Sequence, residues 1–490
     1  MRVASVRASA GRAADSGGRA REFHVAPMRD YTDRHHRRFT RLLSREAVLW
    51  SEMEKPGAIL KAADASSLRK LDRLLQRGSD EGYEVFQIGG SDPVTVAAAT
   101  SLVLPYGYDE LNLNCGCPAI TSGGGDYGAS LMRRGGDDAA RVIEAMVREA
   151  QKCDPRNAPK ISVKCRVGIA ETVGDVLPKH ASKEEVRERL AKPLDAFVAK
   201  CADAGAASVV VHCRQAVMTG LSPSKNRGVP PLRPELVFEL CSNTRSTGVR
   251  RNELEFILNG GVSSFADAAN VFSACPTLKG AQAGRWPLLR PFDMLHVDAF
   301  LMRVIDDAEG DDASSYREED LPTRSRVDDG TKKKERFRFA FDRRAAARAV
   351  AAAETYAFRN RSFTAAESRK ENGAGAAARP LALALADLDD RLEAASLIGI
   401  DGESPSVSSE NSEWTRQRED DPDALASALD GLLSVCGDLL EVDGGANRAK
   451  RTRKALAKAV GKKVRGKQRG TRAEAAEAAG GVASGRLWKV

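Results

Sequence analysis

Glu110-Leu-Asn-Leu-Asn-Cys-Gly-Cys-Pro118 reads as a strand that ends in chemistry. Side chains alternate along a strand, so Leu111 and Leu113 share one face and Asn112 and Asn114 the other. Two amides facing one way are costly to bury without partners. They suggest a site that hydrogen-bonds something polar, although a strand edge with a turn would leave the same pattern. The glycine-rich loop that follows, Gly123-Gly-Gly125, lets backbone approach a ligand closely. Other apolar runs end in a similar way. Gln87 stands just before Ile88-Gly89-Gly90, and its amide both donates and accepts, as the edge of a heterocycle requires. Lys164 lies between Val163 and Cys165, where burial demands an anionic partner. His212 closes the run Val-Val-Val-His. Asn259-Gly260-Gly261 and Gly284-Arg285 end two later runs, and glycine N–H groups with a guanidinium can cradle a phosphate. Pro27-Met28-Arg29 offers backbone and a soft side chain to a planar ring. Taken singly, His212 or Gln87 is more often structural. Together the set points to a phosphorylated planar cofactor.

Such residues work together only if one frame brings many strand ends to one place. Short apolar runs at His24–Met28, Ala47–Met53, Glu84–Gly90, Glu110–Gly116, Lys160–Gly168, Ser208–Arg214, Glu255–Gly261 and Gly280–Arg285 alternate with helical patterns. The helical patterns include Asp33–Leu43, Asp92–Leu104, Asp137–Lys152, Lys192–Ala204, Pro234–Cys241 and Ser264–Cys275. This rhythm predicts an α/β fold, a parallel (β/α)8 TIM barrel over 22–292. A doubly wound open sheet is the alternative, and it accounts less well for polar residues at nearly every strand end. Ala170–Arg189 reads as an inserted polar loop.

Composition sets further bounds. The 490 residues are 42% hydrophobic with a net charge of +8, enough for a sizeable core and mildly basic overall. Nine scattered cysteines form no CxxC pair, which argues against a zinc site and for reduced thiols. No metal is expected, and no apolar run is long enough for a membrane span. Residues 1–21 hold five Arg, no Lys and one acid, as expected of a transit peptide to a chloroplast or mitochondrion or of a disordered extension. Residues 293–447 read as a smaller helical domain with disordered insertions about 306–335 and 401–421. The tail 448–490 is basic, with twelve Lys or Arg and no acid between Arg448 and Arg472, which suits a phosphate backbone. Nothing demands a partner subunit, so a monomer is expected.

The motifs resemble a known family. Val-Ala-Pro-Met-Arg-Asp-Tyr-Thr-Asp-Arg (25–34), Ser-Glu-Met (51–53), Gln-Ile-Gly-Gly-Ser-Asp-Pro (87–93), Asn-Leu-Asn-Cys-Gly-Cys-Pro (112–118) and Tyr-Gly-Ala-Ser-Leu-Met (127–132) come in the order found in tRNA-dihydrouridine synthases. Lys-Cys-Arg-Val-Gly (164–168), His-Cys-Arg-Gln-Ala (212–216), Gly-Leu-Ser-Pro-Ser-Lys-Asn-Arg-Gly-Val-Pro-Pro (220–231), Asn-Gly-Gly (259–261) and Gly-Arg (284–285) continue the series. The chain is most similar to the A-type subfamily, over roughly 22–291.

The resemblance implies a flavoprotein that binds FMN, takes hydride from NADPH and reduces the C5–C6 double bond of a uridine in the tRNA D-loop. It would place Pro27, Met28, Arg29, Gln87 and Lys164 at the flavin, with His212 towards its phosphate. Asn259, Gly260, Gly261, Gly284 and Arg285 would hold that phosphate. Asn112, Asn114, Tyr127, Arg214, Lys225 and Arg227 would meet the substrate. The target base must leave its stack to enter such a pocket. The chain departs from the family at the proton donor, where Ser130 replaces a cysteine. A thiol titrates near 8.5, and a serine hydroxyl is a far weaker acid. Two rivals remain: a tRNA-binding flavoprotein with weak or no reductase activity, and another FMN barrel oxidoreductase acting on a small molecule.

Overall fold

All eight expected strands form, and they close on one another. The structure, a computed structural model, describes residues 21–29, 31–64, 68–78, 82–118, 127–243 and 254–302. The strands are β1 (Glu22–Val25), β2 (Val48–Glu54), β3 (Glu84–Ile88), β4 (Glu110–Cys115), β5 (Lys160–Arg166), β6 (Ser208–His212), β7 (Glu255–Asn259) and β8 (Gly280–Ala283). They pair in parallel in the order β1-β8-β7-β6-β5-β4-β3-β2, a closed barrel. The chain is thus a (β/α)8 barrel over these residues. The expected helical domain, its insertions, the basic tail and residues 1–20 lie outside the described residues.

Helices form where the pattern predicts them, at Arg34–Leu43, Pro93–Val103, Asp137–Cys153, Lys192–Asp203, Pro234–Asn243 and Phe265–Ala274. Their starts are set locally. Asp92 accepts the N–H of Thr95 at 2.9 Å ahead of Pro93, and Ser264 accepts that of Asp267 at 3.0 Å. Two further helices, Pro56–Asp64 and Leu68–Leu75, follow β2. The stretch 170–189 is not a plain loop. Ile169–Ala170 pairs with Ala216–Val217 as a small second sheet, and Ser182 caps a short helix at Lys183–Val186.

Alternation sorts the barrel strands. Leu111, Leu113, Val163, Cys165, Val209 and Val211 are fully buried on one face. The opposite face supplies the lumen, where Val48, Trp50, Val85, Val210 and Ile257 form an apolar cluster with Tyr83 against it. The described residues fall into two units. One is 38–45 with 286–297, where the Phe39 and Phe292 rings meet edge to face at 6.3 Å. The other, the remainder, holds the barrel. Among the described residues no helix is long and apolar enough to cross a membrane, and no cluster of His, Cys, Asp or Glu could hold a metal.

Glu84, at the start of β3, is wholly buried and charge-paired. Arg37 Nε donates to its Oε2 at 3.0 Å and the Gly78 N–H at 3.1 Å. The same guanidinium reaches the carbonyls of Thr32 and Gln76 and the hydroxyl of Tyr108. Removing one partner of a buried pair leaves an uncompensated charge, which costs about 3–5 kcal/mol. Arg37→Met should therefore lower the unfolding free energy by that amount, seen as a lower urea midpoint at constant slope, and Arg37→Met with Glu84→Gln should recover part of it. A loss below about 1 kcal/mol in the single variant would contradict this account.

Candidate active site

Seven of the eight strands end short of the length expected from sequence, β2 alone running one residue further to Glu54, and the residues beyond the shortened ends line the mouth. β1 stops at Val25, so Pro27, Met28 and Arg29 lie in a turn. The Met28 N–H donates to Thr32 Oγ1 at 2.9 Å, and the Thr32 N–H returns to the Met28 carbonyl at 3.0 Å. This turn brings Met28 to the end of β8. A Cβ added to Gly284 would lie 3.5 Å from the Met28 sulfur. The first and last strand ends thus face one space.

The cationic half of the site comes from β5, β6 and the segments after β6 and β8. Lys164 Nζ donates to Asn259 Oδ1 at 2.9 Å, and Asn259 Nδ2 donates to the Gln282 carbonyl at 2.9 Å. The Lys164 ammonium has no carboxylate partner among the described residues. Burial, then Arg166, pulls its pKa down to about 7. His212 pairs in register with Asn259. Burial, then Arg166 and Lys164, holds its pKa well below the usual imidazole value. Its Nδ1 is buried with no protein hydrogen-bond partner. Beyond β7, Gly260 and Gly261 take φ of +97° and +88°, and a Cβ on Gly260 would press on His212 Nε2 at 3.2 Å. Desolvation, then Arg285, lowers the pKa of both Arg214 and Arg227, so these guanidinium groups share a neighbourhood. An unneutralised Lys, neutral His, glycine turn and three Arg fit the phosphate of an anionic cofactor.

The polar half is on β3, β4 and β5. Gln87 Nε2 donates to Asn112 Oδ1, Asn112 Nδ2 to Ser162 Oγ, and Asn114 Nδ2 to Gln87 Oε1, each at 2.8 Å. Asn114 Oδ1 accepts the N–H groups of Gly116 at 3.0 Å and Cys117 at 2.9 Å. Asn112 is fully buried with both ends of its amide bonded inside the barrel. It orients Gln87, which in turn accepts from Asn114.

Ser130 is in a 3-10 segment, Gly128–Gly136, entered through Gly128 at φ +73°. A Cβ on Gly128 would collide with the Cys117 carbonyl. That carbonyl accepts the Ala129 N–H at 2.9 Å, which ties the segment carrying Ser130 to the end of β4. The Ser130 hydroxyl is nearly buried and donates to the Tyr127 carbonyl at 2.9 Å. Lys55 Nζ lies 5.3 Å from the Tyr127 ring centroid. Residues 119–126, the glycine-rich loop singled out from the sequence, lie outside the described residues. Lys225 is exposed in a 3-10 turn with Arg227, set apart from the buried half of the site.

Three contributors escaped the sequence reading. Arg166, one step along the face of Lys164, donates to the carbonyls of Gly116, Gln215 and Asn226 at 3.1–3.3 Å. It ties the segments after β4 and β6 together. Asn226 bonds both the N–H and the carbonyl of Val217, at 2.8 and 3.0 Å, and fixes the 220–231 loop. Glu54 ends β2 with its carboxyl pushed up to about 7 by burial and then by Glu52. The signal that could have found Arg166 is the alternation Lys160, Ser162, Lys164, Arg166, which puts it on the Lys164 face.

Comparison with known proteins fits this geometry. The family model described as dihydrouridine synthase matches residues 24–297. A protein of Xanthomonas axonopodis pv. citri named tRNA-dihydrouridine(20/20a) synthase is 36% identical over 277 residues, 56% of this chain and 71% of its own. Proteins of the same name from Pseudomonas syringae pv. tomato and Xanthomonas campestris pv. campestris are 33% and 37% identical. They cover 57% and 49% of this chain, and 71% and 60% of their own length.

The two glycines of the mouth should respond differently to a methyl group. Gly260→Ala forces a side chain into a positive φ against His212 and should cost about 1–2 kcal/mol in thermal unfolding. Gly284→Ala meets Met28 at ordinary contact distance and should cost less than about 0.5 kcal/mol. Equal melting points for the two variants would contradict the geometry.

Proposed function

The chain belongs to the dihydrouridine synthase family, and from that premise we propose that it reduces the C5–C6 double bond of a D-loop uridine in tRNA, with FMN as resident cofactor and NADPH as reductant. The relatives' name supplies the numbers 20/20a, so uridines at those positions are the proposed targets. The observation that carries the cofactor reading is the unneutralised set Lys164, His212, Arg285 and Arg214 around Gly260 and Gly261. Among the described residues Lys164, Arg214 and Arg285 have no carboxylate partner, and the buried Nδ1 of the neutral His212 has no hydrogen-bond partner. A bound flavin would supply hydride chemistry that no side chain can.

The chain's own residues do the rest. Lys164, Arg285 and the glycine N–H groups would hold the phosphate, and Gln87 would address the ring edge. Asn114 would orient the uracil, and Arg214, Arg227 and Lys225 would meet tRNA phosphates. A proton must reach C5 from the Ser130 position. A serine hydroxyl engaged to the Tyr127 carbonyl is a poor general acid, which keeps the second reading, a tRNA-binding flavoprotein with slow reductase activity.

Two outcomes test the proposal. Ser130→Cys restores an acid with a pKa near 8.5 and should raise dihydrouridine formation per tRNA by about tenfold or more. An unchanged rate would remove Ser130 from the donor position. FMN affinity should also depend on pH. Lys164 has a lowered pKa of about 7 in the free protein, so it is neutral above that pH and must take up a proton to meet a phosphate. Affinity should fall by up to about tenfold per pH unit above 7, and Lys164→Met should abolish the slope. A flat profile in the unsubstituted protein would detach Lys164 from the cofactor.

A further inference from the structure

We infer that Ser162 and Glu110 are positioning residues for this site, acting through a one-way hydrogen-bond relay that fixes Gln87, Asn114 and the backbone leading to Ser130. The inference rests on the flavin reading above.

The relay begins at backbone. The N–H groups of Gly116 and Cys117 can only donate, so the atom of Asn114 that meets them is the carbonyl Oδ1. Its Nδ2 then donates to Gln87 Oε1. Gln87 must present Nε2 to Asn112 Oδ1, and Asn112 must present Nδ2 to Ser162 Oγ. The serine hydroxyl, having accepted, gives its own proton to Glu110 Oε1. Glu110 Oε2 also accepts, from Tyr83 Oη at 3.2 Å. Every link runs the same way, from the mouth to the floor of the barrel, over about 13 Å of strand. Glu110 closes it as the last acceptor, one carboxyl oxygen taking the Ser162 hydroxyl and the other that of Tyr83.

The register makes the relay possible. Gln87 lies opposite Asn112, and Asn112 opposite Ser162, on three adjacent strands. Gln87 is 1% exposed and Asn112 and Ser162 are 0% exposed, so water cannot replace a missing link. Remove the Ser162 hydroxyl and the Asn112 N–H loses its acceptor. If Asn112 turns to escape, Gln87 must turn with it. Asn114 would then aim N–H at the N–H groups of Gly116 and Cys117. A change at the floor is therefore felt at the ring edge and, through the Ala129 N–H on the Cys117 carbonyl, at the donor segment.

The test uses the full-length protein carrying Ser162→Ala, Glu110→Ala or Glu110→Gln. Glutamine keeps a carbonyl for Ser162 and can donate its amide to the Tyr83 oxygen, so polarity survives. Glu110→Gln should bind FMN within threefold of the unsubstituted protein. Ser162→Ala and Glu110→Ala should weaken FMN about tenfold and shift the visible flavin band, while Ser162→Ala retains its far-UV spectrum and a cooperative melt. Hydrogen exchange reads the relay without flavin. The Gly116 and Cys117 amides should exchange at least tenfold faster in Ser162→Ala and stay protected in Glu110→Gln. Unchanged exchange in Ser162→Ala, or Glu110→Gln as impaired as Glu110→Ala, overturns the relay. If Glu110→Ala does not fold, the other two variants decide. A protein that takes up no FMN at all overturns the proposed function, and exchange still decides the relay.

Discussion

Two peptide N–H groups, those of the half-buried Gly116 and Cys117, constrain much of this site. They lie where the backbone has left β4 and no neighbouring strand can pair with them, so they must find a side-chain acceptor. Asn114 is that acceptor, and its choice of oxygen over nitrogen sets the orientation of every amide beneath it. The sequence Asn-Leu-Asn-Cys-Gly-Cys encodes this economically. One asparagine satisfies the turn, the second connects it to the interior, and Leu111 and Leu113, alternating with them, hold the strand in the barrel wall. A buried polar network of this kind is costly if half satisfied and rigid if complete. Here the links from backbone to Glu110 are all made.

The two ends of the same barrel treat charge in opposite ways. At the floor, Lys279 reaches Glu22 at 3.3 Å and Glu255 at 3.6 Å, and Lys160 reaches Glu255 at 3.2 Å. His24 Nε2 lies 3.0 Å from Glu22 Oε2, and its Nδ1 accepts the Trp50 indole N–H at 3.1 Å. Those charges are matched. At the mouth, Lys164, Arg166, Arg214 and Arg227 depress one another or His212 without acids to offset them. Arg166 is answered only by carbonyl oxygens, and burial lowers its pKa to about 10. An uncompensated field costs stability in the free protein and becomes favourable when an anion arrives. That division between a matched floor and an unmatched mouth is how a parallel barrel separates folding from function.

Much of this was legible in the sequence because period and punctuation are local. Runs such as Val209–Val211 and the capped start at Asp92-Pro93 signal their elements without tertiary help. The strand ends were overextended because Pro27-Met28-Arg29 and Asn259-Gly-Gly continue the apolar rhythm while their backbones have already turned to face a ligand. Asn112 was readable as a buried amide but not as one whose partners are Gln87 and Ser162. Those partners are 25 and 50 residues away, and register decides them. Arg166 and Asn226 fall in the same class. Each holds a loop by bonding carbonyl groups, which leave no trace in residue type. The small sheet of Ile169–Ala170 with Ala216–Val217 was invisible for the same reason, since two-residue strands have no period to read.

Ser130 brings these threads together. Its position is set by backbone alone: Gly128 passes beneath the Cys117 carbonyl, Ala129 bonds to it, and the side chain at 130 emerges nearly buried. None of those contacts depends on whether the side chain ends in sulfur or oxygen. The fold therefore fixes the place of residue 130 while leaving its acidity to one atom. A thiol there would be the stronger acid. The hydroxyl instead completes a local turn by donating to the Tyr127 carbonyl, a bond that engages the very proton the reaction would need. Geometry and acidity are separable at this residue, and the relay that starts from the Gly116 and Cys117 N–H groups governs only the first.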